Sequence, residues 1–320
     1  MPDPPDLAPR LSGDAARRTL GARLRARIAA DGPIGFDAWV EACLYDHEDG
    51  FYARGAPLGR SGAFSTAPTL HPAYAAAVVA EARAAGAERV LEAGPGDGSL
   101  AEALVAAGLD VVLLERAEGM RRLQRERLGD RASWIAEPAE AAPFDGLIVA
   151  NEVLDALPFR LFADGTEVRV GVDAAGRFRE VPAVAAGARR TVDRPGLAGF
   201  VAGLVAPLRR GRVLIADYGP PAPEDPRDPV RTYIGGQDGG SPLQAPGTQD
   251  LTADVDVAEV RAALAAAGLV PVADEHQATW LRRHGAAVPE PAARDDADWR
   301  LAPLLDEGLP YFVLVAERAA

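Results

Sequence analysis

The chain contains no lysine. Its 34 basic residues are all arginine, and 47 acidic residues outweigh them to a net charge of -13. Duplex nucleic acid is a polyanion, and binding it rests on basic contacts. No long basic stripe interrupts the acidic balance, so nucleic acid is not an expected partner. Arg121, Arg122, Arg125 and Arg127 read as the solvated face of a helix. Cysteine occurs once, at Cys43. That excludes an intrachain disulfide and a cysteine-built zinc site, and it leaves a small residue suited to burial. His47, His71, His276 and His284 share no metal-ligand spacing and read as surface or loop residues, so no metal is expected. The longest apolar stretch, 196–208, is too short to span a bilayer. Residues 1–10 are proline-rich and acidic, with no apolar signal segment. No membrane association is expected, and a cytoplasmic enzyme is the default.

What is present suits a large buried core: 320 residues, 48% of them apolar. Residues 1–13 read as a disordered lead, and 14–88 as a cap of helices and loops. That cap holds helices at 14–30, 36–44 and 72–85 and an aromatic, glycine-bearing loop at 45–68. From residue 89 short apolar strands alternate with helices: strands at 89–93, 111–114, 132–136, 146–150 and 213–216, helices at 100–107 and 119–128. Such alternation means an α/β fold with a doubly wound parallel sheet. Residues 159–200 form an insertion, strand-like to 184 with turns at Asp164-Gly165 and Ala175-Gly176, as in antiparallel hairpins. Residues 219–250 read as a long lid loop. A helix at 257–267 and strands at 269–273 and 311–316 complete the domain. Trp39, Trp134, Trp280 and Trp299 read as core, with Trp134 also placed to approach an adenine.

The chemistry centres on Gly94-Pro95-Gly96-Asp97-Gly98, between a strand and a helix that Ser99 can cap. Glycines there permit positive φ and close approach of a ligand to the backbone. In such sheets ligands bind beyond the carboxyl ends of the strands. A dinucleotide fingerprint needs G-x-G-x-x-G; here Gly94, Gly96 and Gly98 are spaced G-x-G-x-G. Glu92, just before the loop, would repel a pyrophosphate and suits a cationic amino group. Glu115 lies 21 residues after Gly94, where an acid typically binds ribose hydroxyls. The pattern fits S-adenosyl-L-methionine, which carries an amino-acid tail and no phosphate.

Further motifs then fall in order. Gly32-Pro33-Ile34-Gly35-Phe36, Leu44-Tyr45 and Gly50-Phe51-Tyr52 are followed by Gly62-Ala63-Phe64-Ser65-Thr66-Ala67-Pro68. After the glycine loop come Asn151-Glu152-Val153-Leu154-Asp155-Ala156-Leu157-Pro158, Asp217-Tyr218-Gly219, Arg231 with Tyr233, and Asp250-Leu251-Thr252-Ala253. The ordered set resembles the MidA-type methyltransferases, over most of the chain. The resemblance implies a Rossmann-like class I methyltransferase sheet, S-adenosyl-L-methionine as donor, and Phe64 and Thr66 beside Glu92, Gly94, Gly96, Gly98 and Glu115 at the donor. It also implies a protein arginine as acceptor, with a small molecule as the alternative. Ala63, Ala67, Gly236 and Asp254 depart from the family pattern at presumed acceptor or lid positions.

On the acceptor side, Glu152 and Asp155 are three apart, so a helical turn would place both on one side. Two carboxylates there could hold a guanidinium by charge-assisted hydrogen bonds, with Asn151 beside them. Two other functions remain open at this point: a nicotinamide-dependent oxidoreductase, and a non-catalytic assembly factor that keeps the fold. A homodimer is also left open.

Overall fold

The computed structural model describes residues 19–55, 66–219, 227–234, 237–287 and 296–318. The expected lead at 1–13, Ala63, Phe64 and Gly236 lie outside the described residues. In chain order the elements are α1 (Leu20–Asp31), β1 (Ile34–Gly35), α2 (Phe36–Tyr45), α3 (Ala67–Leu70), α4 (Pro72–Ala84), β2 (Arg89–Ala93), α5 (Ser99–Ala106), β3 (Asp110–Leu114), α6 (Glu118–Leu128), β4 (Ser133–Ile135) and β5 (Phe144–Asn151). Next come β6 (Arg160–Ala163), β7 (Thr166–Val172), β8 (Phe178–Val181), β9 (Arg190–Asp193), α7 (Leu197–Val205), β10 (Leu208–Tyr218), β11 (Val230–Ile234), β12 (Gln237–Asp238) and β13 (Asp250–Ala253). The chain closes with α8 (Val257–Ala266), β14 (Val270–His276), α9 (Gln277–Arg283), α10 (Asp296–Leu304) and β15 (Tyr311–Arg318).

Seven strands make the central sheet, in the order β14-β15-β10-β5-β2-β3-β4. The five from β10 to β4 are parallel, and β15 runs antiparallel to both neighbours. The parallel strands read as apolar runs because helices cover both faces. Tyr74, Val78, Leu100, Leu104 and Trp280 pack one face; Leu197, Val201, Leu204, Val260 and Leu264 pack the other. The chain passes from β2 to β3 and β4 on one side, then returns to β5 on the other. That reversal between β2 and β5 is the topological switch point, where such sheets bind ligands.

The inserted segment is an antiparallel sheet, β1-β7-β6-β9 with β8 on β7. Its first turn uses Asp164 and Gly165, both at positive φ (47° and 78°), as a tight two-residue hairpin requires. α2 packs on this sheet through a third core, where Phe36 stacks on Phe159 with ring centroids 5.6 Å apart. The expected lid loop at 219–250 contains structure instead: β12, β11 and β13 pair antiparallel. Its glycine- and proline-rich composition hides these strands: β11 pairs with the two-residue β12 just after it, and with β13 only about twenty residues on.

Several expectations change in detail. Ser99 does not cap α5; it is the first helical residue, and Asp97 accepts from its backbone N–H (3.0 Å) and hydroxyl (2.6 Å). Trp39 and Trp280 are fully buried, but Trp299 is 59% exposed. His284 is not a surface residue: it contacts buried Glu81, as do Arg212 and the Trp280 indole. The arginines of α6 do more than face solvent, because Arg121 donates to the Glu115 carbonyl (2.6 Å) and Arg127 to Asp97 (2.7 Å). Cys43 is buried, as its size suggested.

Phe159 joins the cap to the insertion and is fully buried. Phe159→Ala is expected to lower unfolding free energy by about 3–5 kcal/mol in urea titration. A loss below about 1 kcal/mol would mean that the two layers do not share a core.

Candidate active site

A cavity of about 340 Å³ lies at the switch point. Its floor is the end of β2 and the glycine loop: Glu92 to Asp97, with Ser99. Its walls come from Leu114 to Arg116 after β3, Ala136 to Pro138 after β4, and Asn151 to Val153 after β5. Tyr45, Tyr52, Thr66 and Phe200 close it from the cap and α7. Parallel register explains the convergence: Ala93 lies beside Leu114 on one side and Ala150 on the other, so three strands end together.

The glycine loop turns sharply. Gly94, Gly96 and Gly98 all have positive φ, at 59°, 54° and 82°. At Gly94 a Cβ would lie 2.7 Å from Val153 Cγ2, so the loop and the turn after β5 touch only because the side chain is absent. Gly98 is the N-cap of α5 and does not line the cavity.

Glu92 is buried, and its Oε2 has no hydrogen-bond partner. Burial, then the neighbouring Asp97, holds its pKa well above the usual carboxylate range. An unpartnered buried acid is costly, and a cation entering the cavity would remove that cost. Glu115 is better supported: Oε1 accepts from the Ala117 N–H (2.8 Å) and Oε2 from Gln124 (3.3 Å). Burial nonetheless pushes it up to about 6. Gln124, fully buried, also donates to the Gly96 carbonyl (2.8 Å) and accepts from the Trp134 indole (3.0 Å). One amide therefore ties the glycine loop to Glu115. Trp134 is drawn to this amide and lies outside the cavity lining. Gln124 was not singled out from sequence, although a signal existed: with Met120 and Leu128 it falls on the buried i, i+4, i+8 face of α6.

The segment after β5 is not the expected helical turn. Asn151 ends the strand, and Glu152 takes φ +51°, a left-handed conformation unusual outside glycine. The backbone N–H groups of Leu154 and Asp155 then donate to Asp217 Oδ2 (2.9 and 3.3 Å), so a buried aspartate holds the turn open. The outcome separates the two acids. Glu152 lines the cavity; its Oε1 accepts from the Ala67 N–H (3.2 Å) and Asn151 Nδ2 (3.3 Å). Asp155 points inward, with Oδ2 2.7 Å from the Tyr218 hydroxyl, and does not line the cavity. Exclusion of water, then Asp155, pushes Glu152 up to about 8. Burial likewise raises Asp155 and, together with Asp155, raises Asp217 and pushes Asp250 up to about 7. Asp250 accepts from Tyr52 (2.9 Å). Asp254 pairs with Arg231, which stacks on Tyr218 4.9 Å from its centroid. No cluster of metal-ligating side chains occurs among the described residues.

Comparison with known proteins gives this geometry its chemistry. The family described as "Putative S-adenosyl-L-methionine-dependent methyltransferase" matches residues 73–273. The chain belongs to this MidA-type methyltransferase family. A Burkholderia thailandensis protein solved with bound S-adenosyl-homocysteine is similar throughout: 29% identity, TM-score 0.81, covering 97% of this chain and 95% of that one. The mitochondrial protein arginine methyltransferase NDUFAF7 of Danio rerio is 26% identical over 78% of this chain and 73% of its own. Its Drosophila melanogaster homologue is 26% identical over 81% and 73%. The chain is thus an S-adenosyl-L-methionine-dependent methyltransferase with a class I sheet, which sets the nicotinamide reading aside. The cytoplasmic expectation is corrected by the same relatives, because both curated proteins are mitochondrial. No helix among the described residues is long and apolar enough to cross a membrane.

The residues present fit this donor: a buried acid with an unpartnered oxygen for its ammonium, a loop in which Gly94 and Gly96 leave room for its tail, and a second acid across the cavity for hydroxyl groups. Gln124→Leu removes three hydrogen bonds of about 1 kcal/mol each from the loop and Glu115. It is expected to weaken S-adenosyl-homocysteine binding at least about tenfold by calorimetry. Unchanged affinity in the folded variant would show that the amide does not shape the donor site.

Proposed function

We propose that this methyltransferase acts on an arginine side chain of a partner protein, and that Glu152 orients the guanidinium and takes its proton. The observation that carries the reading is the backbone of Glu152. A non-glycine residue held in the left-handed region costs of order 1–3 kcal/mol, and such strain collects at functional sites. Here it turns a carboxylate into the cavity and fixes it from two sides, through Ala67 and Asn151. The two curated relatives, both named protein arginine methyltransferases, support the acceptor class.

The donor, when bound, supplies a methyl group already activated on a sulfonium. The chain's work is therefore placement. Glu92 receives the ammonium, Gly94 and Gly96 bring the backbone against the tail, and Glu115 takes the ribose hydroxyls. Phe64 and Thr66 belong to the same side by their place in the family motif. In the free site Glu152 is largely protonated at neutral pH, since its pKa lies at about 8. An entering guanidinium favours the carboxylate by charge pairing. The attacking nitrogen must lose a proton as its bond to carbon forms, and the Glu152 carboxylate is the acceptor within reach. Asn151 holds that carboxylate. Asp155 is a positioning residue that acts through Tyr218 and the 152–155 turn. The cap over 14–88 and the insertion at 159–200 form the acceptor side.

Glu152→Gln keeps the shape and removes the charge. It is expected to hold S-adenosyl-homocysteine affinity within about twofold while methyl incorporation into captured partner protein falls at least about a hundredfold. Full incorporation by the variant would remove Glu152 from the chemistry.

A further inference from the structure

A second polar group stands behind Glu152, and nothing in the site accounts for it. Tyr74 is fully buried and its hydroxyl has no hydrogen-bond partner. Buried tyrosine hydroxyls usually find one. The residue does not line the cavity, so a bound ligand does not supply it.

The geometry of α4 fixes where this hydroxyl lies. The helix packs on β5 and carries Glu81 on the same buried face. Glu81 accepts from Arg212, in the first half of β10 (3.0 Å). Tyr74 is seven residues earlier, about 10 Å along the axis at 1.5 Å per residue. Because α4 runs against the strands, that step leads toward their carboxyl ends, and helical side chains lean further in the same direction. The hydroxyl is thereby placed behind the ends of β2, β5 and β10, where Glu92, Glu152 and Asp217 sit. The electrostatics agree: after burial, the charges that act on the Tyr74 hydroxyl are Glu152, Glu92 and Asp217, in that order. The linkage is also mechanical. Glu152 accepts from the Ala67 N–H at the start of α3, and α3 leads directly into α4.

We propose that Tyr74 is a positioning residue for methyl transfer, its hydroxyl joined to the Glu152 carboxylate by a buried water. Such waters occupy polar pockets with two to four partners, and Tyr74 with the acids behind the sheet ends provides them. The inference rests on the reading of Glu152 given above. A donor bonded to the ionised acid through water favours the charged form, so Tyr74 holds down a carboxyl that its surroundings push up. Six titratable groups interact with Glu152 by charge: Asp155 on its own turn, Asp217 of β10, Asp250 of β13, Tyr233 of β11, Tyr311 of β15 and Tyr74 of α4. Of these, Tyr74 is fully buried with its one polar side-chain atom unpartnered, whereas Asp155 leaves Oδ1 unpartnered but is bonded through Oδ2.

The test needs no acceptor. In protein labelled with 13C at glutamate carboxyls, the resonance absent from Glu152→Gln is that of Glu152. Its titration midpoint is expected to rise by about half a pH unit or more in Tyr74→Phe, the scale of a net hydrogen bond. The thermal midpoint of Tyr74→Phe is expected to fall, because a bridged hydroxyl contributes stability. An unchanged Glu152 midpoint, or a thermal midpoint equal to or above wild type, would overturn the proposal. A wild-type crystal structure supplies a check independent of the variant: a water within hydrogen-bond distance of both Tyr74 Oη and Glu152 is expected, and an ordered site without it contradicts the bridge. If Glu152→Gln leaves turnover intact, the assignment of Glu152 fails, while the titration still reports whether Tyr74 is linked to it.

Discussion

Carboxylates crowded together out of water repel one another, and most of this site follows from that constraint. Glu92, Asp155, Asp217 and Asp250 are buried, and Glu152 joins them at the edge of the cavity. Charging several of them at once is unfavourable at any realistic interior dielectric. Burial, the largest cause in each case, therefore raises the pKa of every one of them. The fully buried cation nearest to them, Arg194, donates to the carbonyls of Asp155, Ala253 and Asp254 and makes no side-chain ion pair with the acids. The cluster is therefore matched to cations arriving from outside. A donor with an ammonium and a sulfonium, and an acceptor with a guanidinium, are such cations.

The fold supplies the acids from separate elements so that they converge without touching. Glu92 ends β2, Glu152 and Asp155 follow β5, Asp217 ends β10 and Asp250 starts β13. Hydrogen bonds then fix each in a different direction. Asp217 is spent on the backbone of the 152–155 turn, Asp155 on Tyr218, and Asp250 on Tyr52. Of these five acids, Glu92 and Glu152 line the cavity, together with Asp97, Glu115 and Glu137. The left-handed backbone at Glu152 is the local cost of that division.

The parallel sheet was legible because its strands are apolar, short and punctuated: Arg89–Ala93 begins and ends where its pattern does. The glycine loop and Glu115 were legible because spacing along the chain sets their placement. Gln124 was readable in principle from its position on an apolar stripe. Other features were not available to a linear reading. In the three-stranded sheet around β11, the pairing of β11 with β13 spans sixteen or more residues of loop composition. The separation of Glu152 from Asp155 depends on Asp217, more than sixty residues away, capturing the turn between them. Tyr74 looks like any aromatic in an alanine-rich helix, and only three-dimensional burial shows that its hydroxyl lacks a partner.

Cationic ligands entering this site meet acids whose pKa values burial has raised. Burial holds the Glu92 pKa well above the usual carboxylate range in the free site. Pairing with the donor's ammonium favours the carboxylate, so binding lowers this pKa, and affinity rises with pH until the free acid ionises unaided. Calorimetry of S-adenosyl-L-methionine binding at pH 7, in buffers of different ionisation enthalpy, measures this directly. Net proton release on donor binding is expected, with Glu92→Gln abolishing most of it. Binding with no proton release, and affinity independent of pH between about 6 and 8, would contradict it.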